Sequence, residues 1–154
     1  MRTSTPPKPT RNGFTLVELM VVLVLIGLAA SAVVLTLRPS DVARDEAVML
    51  AGRIAAVRDE AVLRGRPTGI WVTTSGFGFE QYRNREWEVL EARRFDGRQA
   101  FRGGVTASTG EAGRVGIRFD NLGMPSAPSI VQLTGPEGRI ATVSVAANGR
   151  VEAN

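Results

Sequence analysis

The sequence predicts an α+β protein in which a long N-terminal helix packs on a small head of antiparallel β-strands. Three patterns predict this fold: a long apolar run over residues 14–37, helical periodicity over 41–64, and a series of short strand-like runs after Pro67. With 154 residues, the chain has room for one modest domain and an attached segment.

Residues 1–13, MRTSTPPKPTRNG, form a proline-rich basic leader. The chain has 19 basic and 15 acidic residues, but Arg2, Lys8 and Arg11 all belong to the leader, so the remainder has a net charge of only +1. A remainder so close to neutral has no bulk attraction to phosphate. The basic leader itself predicts that this end of the chain stays cytoplasmic.

Residues 14–37 form an apolar run with a single charged side chain, Glu18. As a helix these residues extend for about 36 Å, enough to cross a hydrocarbon layer of about 30 Å. A carboxylate inside such a helix costs roughly 2.5 to 3.5 kcal/mol on insertion scales. The presence of Glu18 therefore requires an explanation.

Three interpretations of residues 1–37 follow from this pattern. The first is a secretory signal peptide with a small-residue cleavage site at 30–32, but the glutamate and the continuation of the apolar run beyond that site count against it. The second is a membrane anchor in which Glu18 has no role. The third is cleavage between Gly13 and Phe14, which places a new α-ammonium about one helical turn, ~6 Å, from Glu18. The two charges can then neutralise each other within or between subunits, and a repeated head-to-tail contact can generate a filament.

Residues 41–64 have apolar side chains mostly three or four positions apart, which is the spacing of one helix face. Ser40 or Asp41 can cap the start of this helix, and Gly65 and Pro67 end it. With the apolar run before it, the pattern predicts one helical region of about fifty residues, bent or broken near Pro39. The predicted buried face contains Ala47, Leu50, Ala51, Ile54, Val57, Ala61 and Val62.

After Pro67, short apolar and aromatic runs alternate with turn residues. Their number and spacing predict an antiparallel sheet or sandwich packed against the apolar face of the helix. The predicted segments are therefore a cleaved leader, a transmembrane helix, an amphipathic helix and a β-sheet domain, at residues 1–13, 14–38, 39–66 and 67–154. The seven predicted strands are residues 69–74, 77–83, 86–95, 105–108, 114–119, 129–134 and 139–146.

Several features of the head allow a structural and a functional interpretation. The strand aromatics could bind carbohydrate or nucleic-acid bases, but alternating aromatics usually belong to the core. Asp120 and Asn121 before Gly123 predict a turn rather than a calcium site. The aromatics concerned are Trp71, Phe77, Phe79, Tyr82 and Trp87.

The densest positive stretch of the head consists of Arg93, Arg94, Arg98 and Arg102. It is either a solvated loop face or a contact surface for DNA or an acidic partner subunit.

The composition argues against an enzyme. The chain has no histidine and no cysteine, and no nucleophile–base pair is recognisable. We therefore predict no catalytic residue, no metal and no cofactor.

Residues 13–18, Gly-Phe-Thr-Leu-Val-Glu, resemble the processing signal of type IV pilins and type II secretion pseudopilins. The match is highly specific: a short basic leader, Gly before the cleavage site, Phe after it, and Glu at the fifth mature position. Softer similarities to the GspH/FimT group extend over nearly the whole chain. One departure, the lack of a proline in the middle of the apolar run, favours a minor pseudopilin over a major pilin. The softer matches are residues 57–62, 64–67, 117–119 and 148–151, with Gly123.

The resemblance implies that prepilin peptidase cleaves after Gly13 and methylates the amino group of Phe14. It also implies that Glu18 pairs with a neighbour's N-terminus during assembly. The implied protein is a GspH-type minor pseudopilin of the type II secretion system, built into a periplasmic pseudopilus. The implied location is the bacterial inner membrane, with a cytoplasmic N-terminus, a single membrane pass and a periplasmic β-sandwich head.

The partners implied by the resemblance are prepilin peptidase, other pseudopilins and the inner-membrane assembly platform. The alternative is a FimT-like minor type IV pilin that contributes to pilus assembly or captures DNA. Only under this alternative is nucleic acid a partner, with the arginines of residues 93–102 as the binding surface.

Overall fold

The computed structural model of the chain describes residues 15–36, 41–90, 92, 94–95 and 97–154. In the first helix, side chains are described from Thr15 to Ser31. The chain divides into two compact units, Met1–Pro39 and Ser40–Asn154. The second unit is referred to below as the head.

The first unit contains α1, Leu16–Thr36. Thr15 caps this helix, since its Oγ1 accepts a hydrogen bond of 3.2 Å from the backbone N–H of Glu18. The Ser31 hydroxyl donates to the carbonyl of Gly27 at 2.8 Å, so this polar group is satisfied inside the helix. Across the ranges given above, the structure contains no helix with both the length and the apolarity needed to cross a membrane.

The head begins with α2, Val42–Arg64. The Asp41 carboxylate accepts from the backbone N–H of Arg44 at 3.2 Å, so Asp41 is the cap among the two predicted candidates, Ser40 and Asp41. Gly65 ends the helix in the left-handed conformation, with φ of 59°, and its N–H is directed at the carbonyls of Ala61 and Val62. Helix α1 thus ends at Thr36, and helix α2 begins at Val42. The predicted bend or break near Pro39 lies outside the described residues.

The buried face of α2 differs in part from the predicted face. Val62 was predicted to be buried but is 51% exposed. At about 100° per residue, the buried positions Val57, Glu60 and Ala61 form one stripe, and Val62 falls outside it on the side away from Glu60. Two acids that the apolar pattern did not predict, Glu46 and Glu60, are buried. The buried residues of α2 are Ala43, Glu46, Ala47, Leu50, Ile54, Val57, Glu60 and Ala61.

Nine described strands form two antiparallel sheets. The larger sheet has the order β3-β2-β1-β6, with β4 also paired to β2, and the smaller has the order β5-β7-β8-β9. The strands are β1 Thr68–Thr73, β2 Gly76–Arg83, β3 Glu86–Val89, β4 Gln99–Ala100, β5 Thr106–Ala107, β6 Arg114–Phe119, β7 Ser129–Thr134, β8 Ile140–Val145 and β9 Val151–Ala153.

The predicted α+β fold is confirmed, with three differences among the strands. The strand predicted at 86–95 ends at Val89. The short strands β4 and β9 were not predicted. Strand β4 is defined by a partner far away in the chain, with Gly76 opposite Ala100, whereas the three residues of β9 pair across a short turn, with Val145 opposite Val151, and are too few to show an alternating pattern.

The core of the head lies between α2 and the inner faces of both sheets. Helix α2 contacts strands of both sheets, among them β1 and β8. A buried hydrogen bond of 2.8 Å from the Thr68 hydroxyl to the carbonyl of Val57 joins the start of β1 to the helix. In the part of the chain that the structure describes, the buried core residues lie between Ala43 and Val145, within the head. Its largest side chains are Leu50, Ile54, Ile70, Phe77, Phe79, Leu90, Phe95, Ile117, Phe119 and Leu133.

The two valines of α2 allow a matched test of this packing. Val57 is fully buried, so Val57→Ala should lower the free energy of unfolding by about 2 kcal/mol through lost burial and a residual cavity. Val62→Ala makes the same chemical change at an exposed site and should alter stability by less than about 0.5 kcal/mol. Urea unfolding of the head, residues 40–154, measures both values, and equal losses would contradict the assigned helix face.

Candidate functional site

Helix α1 has an apolar surface on every side. Each described side chain from Thr15 to Ser31 is exposed within its unit, and between Leu16 and Ala30 Glu18 is the one charged residue. A helix that is apolar all round belongs in lipid or among other helices. The Glu18 carboxylate therefore lies on a surface whose natural surroundings are apolar.

Glu18 lies in the first turn of α1, at the third residue after the capping residue Thr15. Thr15 and Glu18 thus have the spacing of a capping box, in which Ser or Thr is followed three residues later by Glu. The sequence signal was the Thr-x-x-Glu pattern at the start of the apolar run, and we did not predict the cap from it. A carboxylate at this position is favoured by the positive end of the helix dipole. Gly13 and Phe14, the predicted processing residues, lie outside the described residues.

The structure describes three of the four arginines in the predicted patch and places them in different surroundings. The backbone carbonyl of Arg94 accepts a hydrogen bond of 3.4 Å from Arg53. Arg98 stacks on Trp71, with its guanidinium carbon 5.6 Å from the ring centroid. Arg102 lines a cavity beside α2, together with Arg53. Arg93 lies outside the described residues.

The strand aromatics do not all belong to the core, and this part of the sequence interpretation was wrong. Phe77 and Phe79 are buried as predicted, but Trp71 and Trp87 are half-buried and Tyr82 is exposed. The reason is strand alternation: Ile70 and Val72 point to the core, so Trp71 between them must point to the opposite face. Tyr82 and Trp87 are directly opposed on neighbouring strands and share that outer face, with ring centroids 5.4 Å apart.

The outer face of the larger sheet has an ordered layer of aromatic and charged side chains. We call it the tryptophan–arginine layer and define it as Trp71, Glu80, Trp87, Arg98, Arg114 and Arg118. Glu80 is only 5% exposed, and its two oxygens accept from Arg114 Nη2 at 2.7 Å and Arg118 Nε at 2.8 Å. Both guanidiniums also stack on indole rings, Arg114 on Trp71 at 4.9 Å and Arg118 on Trp87 at 4.3 Å. The buried carboxylate is therefore fully compensated.

Glycines on the neighbouring strands make room for this layer. Trp71 is opposite Gly78 on β2 and Gly116 on β6. A Cβ atom at Gly78 would lie only 2.2 Å from Cζ2 of Trp71, so the indole rests directly on the backbone. Gly69 lies between Glu80 and Arg118, and its missing side chain lets the two meet across β1.

A second cluster joins the end of α2 to two turns of the head. Arg58 donates through Nη1 to the carbonyl of Gly149 at 2.8 Å. Gly149 has φ of +79°, and a Cβ atom there would lie 2.9 Å from the carbonyl oxygen of Gly123. The Asp120 carboxylate accepts from the N–H groups of Leu122 and Met124, both at 2.9 Å, which confirms the predicted turn. We call Arg58, Gly123 and Gly149 the junction cluster; it unites three of the separate sequence matches noted above.

In the described part of the chain, no group of three or more His, Cys, Asp or Glu side chains could hold a metal ion. The Glu88 carboxylate lies near guanidinium and amide groups, with Nε of Arg83 at 3.9 Å and Nε2 of Gln81 at 3.5 Å. The contacts observed in the tryptophan–arginine layer are ion pairs, hydrogen bonds and cation–π stacking.

An apolar N-terminal helix and a head made of one helix and two antiparallel sheets define a pilin-like protein. Residues 8–34 match the model of the prokaryotic N-terminal methylation motif. Residues 46–149 match the model of the type II transport protein GspH, and the chain belongs to this family. The resemblance stated from the sequence is thereby confirmed.

Two curated relatives span different parts of the chain. The pilin-like protein PilA1 of Thermus thermophilus is 29% identical over 155 residues, covering 93% of this chain and 99% of the relative. The type II secretion system protein H of Escherichia coli is 39% identical over 71 residues, covering 44% of this chain and 42% of the relative.

Two solved structures share the fold. The minor pseudopilin EpsH from the type II secretion system of Vibrio cholerae has a TM-score of 0.61 and 15% identity, covering 74% of this chain and 97% of that one. The type IV minor pilin FimU of Pseudomonas aeruginosa has a TM-score of 0.52 and 16% identity, covering 73% and 87%. At these identities the similarity concerns the fold alone.

Glycine substitutions can test the close approach in the junction cluster. Gly149→Ala introduces a side chain at positive φ and also forces it against the Gly123 carbonyl. Gly138→Ala is the matched control, because φ there is +74° and no atom lies within 4 Å of the added Cβ. The Gly149 variant should lose about 1 to 3 kcal/mol more in urea unfolding than the control. Equal losses would show that backbone strain alone, and not the contact with Gly123, constrains this position.

Proposed function

We propose that the chain is a minor pseudopilin of the type II secretion system, which assembles into a periplasmic pseudopilus that helps to drive protein export across the outer membrane. The observation that carries this proposal is the exposed apolar surface of α1 with one carboxylate, Glu18, in its first turn. Such a surface is suited to lipid before assembly and to neighbouring helices after it. Membership of the GspH family supports the assignment to secretion.

The proposed assembly contact is an ion pair between subunits. Prepilin peptidase cleaves between Gly13 and Phe14 and methylates the new amino group of Phe14. The Glu18 carboxylate of one subunit then pairs with the N-terminal ammonium of its neighbour. Because each subunit supplies one carboxylate and one ammonium, the contact repeats head to tail and builds a filament.

The proposed topology follows from the same segments. The leader, residues 1–13, is removed on the cytoplasmic side. Residues 14–38 cross the inner membrane once, 39–66 form the helix that packs on the head, and 67–154 form the periplasmic β-sheet domain. Prepilin peptidase, major and minor pseudopilins and the inner-membrane assembly platform are the proposed partners.

Processing can be tested by mass spectrometry of the protein purified from membranes. The mature chain should begin at Phe14 and carry one additional methyl group on its amino terminus. Gly13→Val places a branched side chain at the cleavage site and should leave most of the chain uncleaved. Thr10→Val introduces the same residue elsewhere in the leader and should be processed normally. An intact Met1 in the parent protein, or a mature chain beginning at Val33, would contradict the proposed cleavage.

The role of Glu18 can be tested by Glu18→Gln and Glu18→Ala. Both variants should still insert into the membrane, because removing the charge lowers the cost of insertion. Both should enter the pseudopilus far less than the parent protein, since the ammonium of the neighbour then has no partner. Cross-linking and quantification of sheared pseudopili measure incorporation.

A matched control for Glu18 lies in the same helix. Ser31→Ala removes a hydroxyl that is bonded within α1, and this variant should be incorporated normally. Normal incorporation of the Glu18 variants would contradict the ion-pair proposal. Failure of the Ser31 variant as well would point to a general defect of α1.

The second candidate function is that of a FimT-like minor type IV pilin that contributes to pilus assembly or DNA uptake. The whole-length similarity to a pilin-like protein favours it. Deletion of the gene separates the two candidates: loss of protein secretion supports the pseudopilin, whereas loss of pilus function and transformation supports the type IV pilin. Salt-sensitive DNA binding by the head would further support the second.

A further inference from the structure

We propose that the outer face of the larger sheet is a docking surface for an acidic segment of a partner protein, which it binds through the tryptophan–arginine layer. This inference goes beyond the proposed function, because it applies whether the chain is a secretion pseudopilin or a minor type IV pilin. It rests on the charges, stacking and exposure of the layer, and not on the N-terminal segment.

The layer already binds one carboxylate, that of Glu80. Arg114 uses Nη2 and Arg118 uses Nε for this contact. Each guanidinium has five N–H donors, so donors remain on both groups. The Arg114 and Arg118 side chains are 51% and 44% exposed, which leaves these donors accessible to a second carboxylate.

The shape of the surface supports a peptide-sized ligand. A recess of about 370 Å³ is lined by both indoles, and Arg114, Arg118 and Val89 also line it. Val89 is 62% exposed and offers an apolar contact beside the charged groups. Trp, Tyr and Arg are the residues that contribute most often to binding energy at protein interfaces, and this face combines Trp71, Trp87 and Tyr82 with three arginines.

The surface is also held in a defined conformation before binding. Trp71 rests on the backbone of Gly78, and Glu80 holds both guanidiniums through short hydrogen bonds. Side chains that are already ordered lose less entropy on binding, which favours affinity.

An acidic protein segment fits this face better than nucleic acid does. Two carboxylates, Glu80 and Glu88, line the same recess. They repel the closely spaced charges of a continuous run of phosphates. Non-specific nucleic-acid binding depends on many phosphate contacts, and the sequence after Pro39 has a net charge of only +1. A few carboxylates placed between the arginines match the local positive charge without needing an extended basic surface.

The experiment uses the full chain in a non-ionic detergent and a short peptide of alternating Glu and Ser. Both tryptophans of the chain belong to the layer, so intrinsic tryptophan fluorescence reports binding at this face directly. We expect a saturable fluorescence change that weakens as salt is added. A peptide with Gln in place of Glu should bind at least tenfold more weakly.

The decisive variant combines Glu80→Gln, Arg114→Gln and Arg118→Gln. It removes both guanidiniums without leaving a buried carboxylate unpaired. The control is Arg139→Gln, next to the smaller sheet. Both variants lower the net charge of the chain by one unit. The triple variant should bind the acidic peptide at least tenfold more weakly, and the control should bind like the parent. If the triple variant does not fold, Arg98→Gln, which contacts Trp71 but not Glu80, should still weaken binding severalfold.

Three outcomes would overturn the proposal. They are no fluorescence change with the acidic peptide at low salt, equal loss of binding in the Arg139 control, and tighter binding of single-stranded DNA of the same net charge. The last result would assign the face to nucleic acid. None of them bears on processing at Gly13 or on the role of Glu18, so the proposed function is tested separately.

Discussion

Burial of one stripe of α2 against two sheets is the constraint on which the head depends. Leu50, Ile54 and Val57 are fully buried, and the inner faces of both sheets complete their surroundings. Since each sheet directs one face to this helix, its other face points away from the core. The outer face of the larger sheet has no second layer of secondary structure in the described part of the chain, and stacked side chains cover it instead. Packing of α2 thus determines which surfaces of the head are available to partners.

The fold could be predicted largely from local patterns. Both helices and the strands at 114–119 and 129–134 follow from periodicity and turn residues that are visible within a few positions. The exposure of Val62 could not be predicted in the same way, because the buried stripe of α2 is rotated from the apolar pattern towards Glu46 and Glu60. The end of β3 and the existence of β4 depend on pairing with distant residues. Local patterns contain no information about such partners.

The candidate site was predictable only where a single residue contrasts with its neighbours. Glu18 is recognisable because it is a charge in an apolar run. The orientation of Trp71 could have been inferred from alternation with Ile70 and Val72, but its aromatic character suggested the core. The contact of Glu80 with Arg114 and Arg118 needs the registers of β2 and β6 on either side of β1, which the sequence alone does not provide. Long-range register therefore limits what can be deduced about the head's surface.

The position of Glu18 in α1 is compatible with the assembly role that we propose for its carboxylate. Its backbone N–H bonds to Thr15, and its charge lies near the positive end of the helix dipole, an interaction worth about 0.3 to 1 kcal/mol. Insertion scales give a cost of roughly 2.5 to 3.5 kcal/mol for a carboxylate at the centre of a membrane helix, and a first-turn position lies away from that centre. The helix terminus carries only about half of an elementary charge, so a full cation from another subunit can lower the energy of the carboxylate further. This remaining attraction is the physical basis of the neighbour preference in the assembly proposed for this chain.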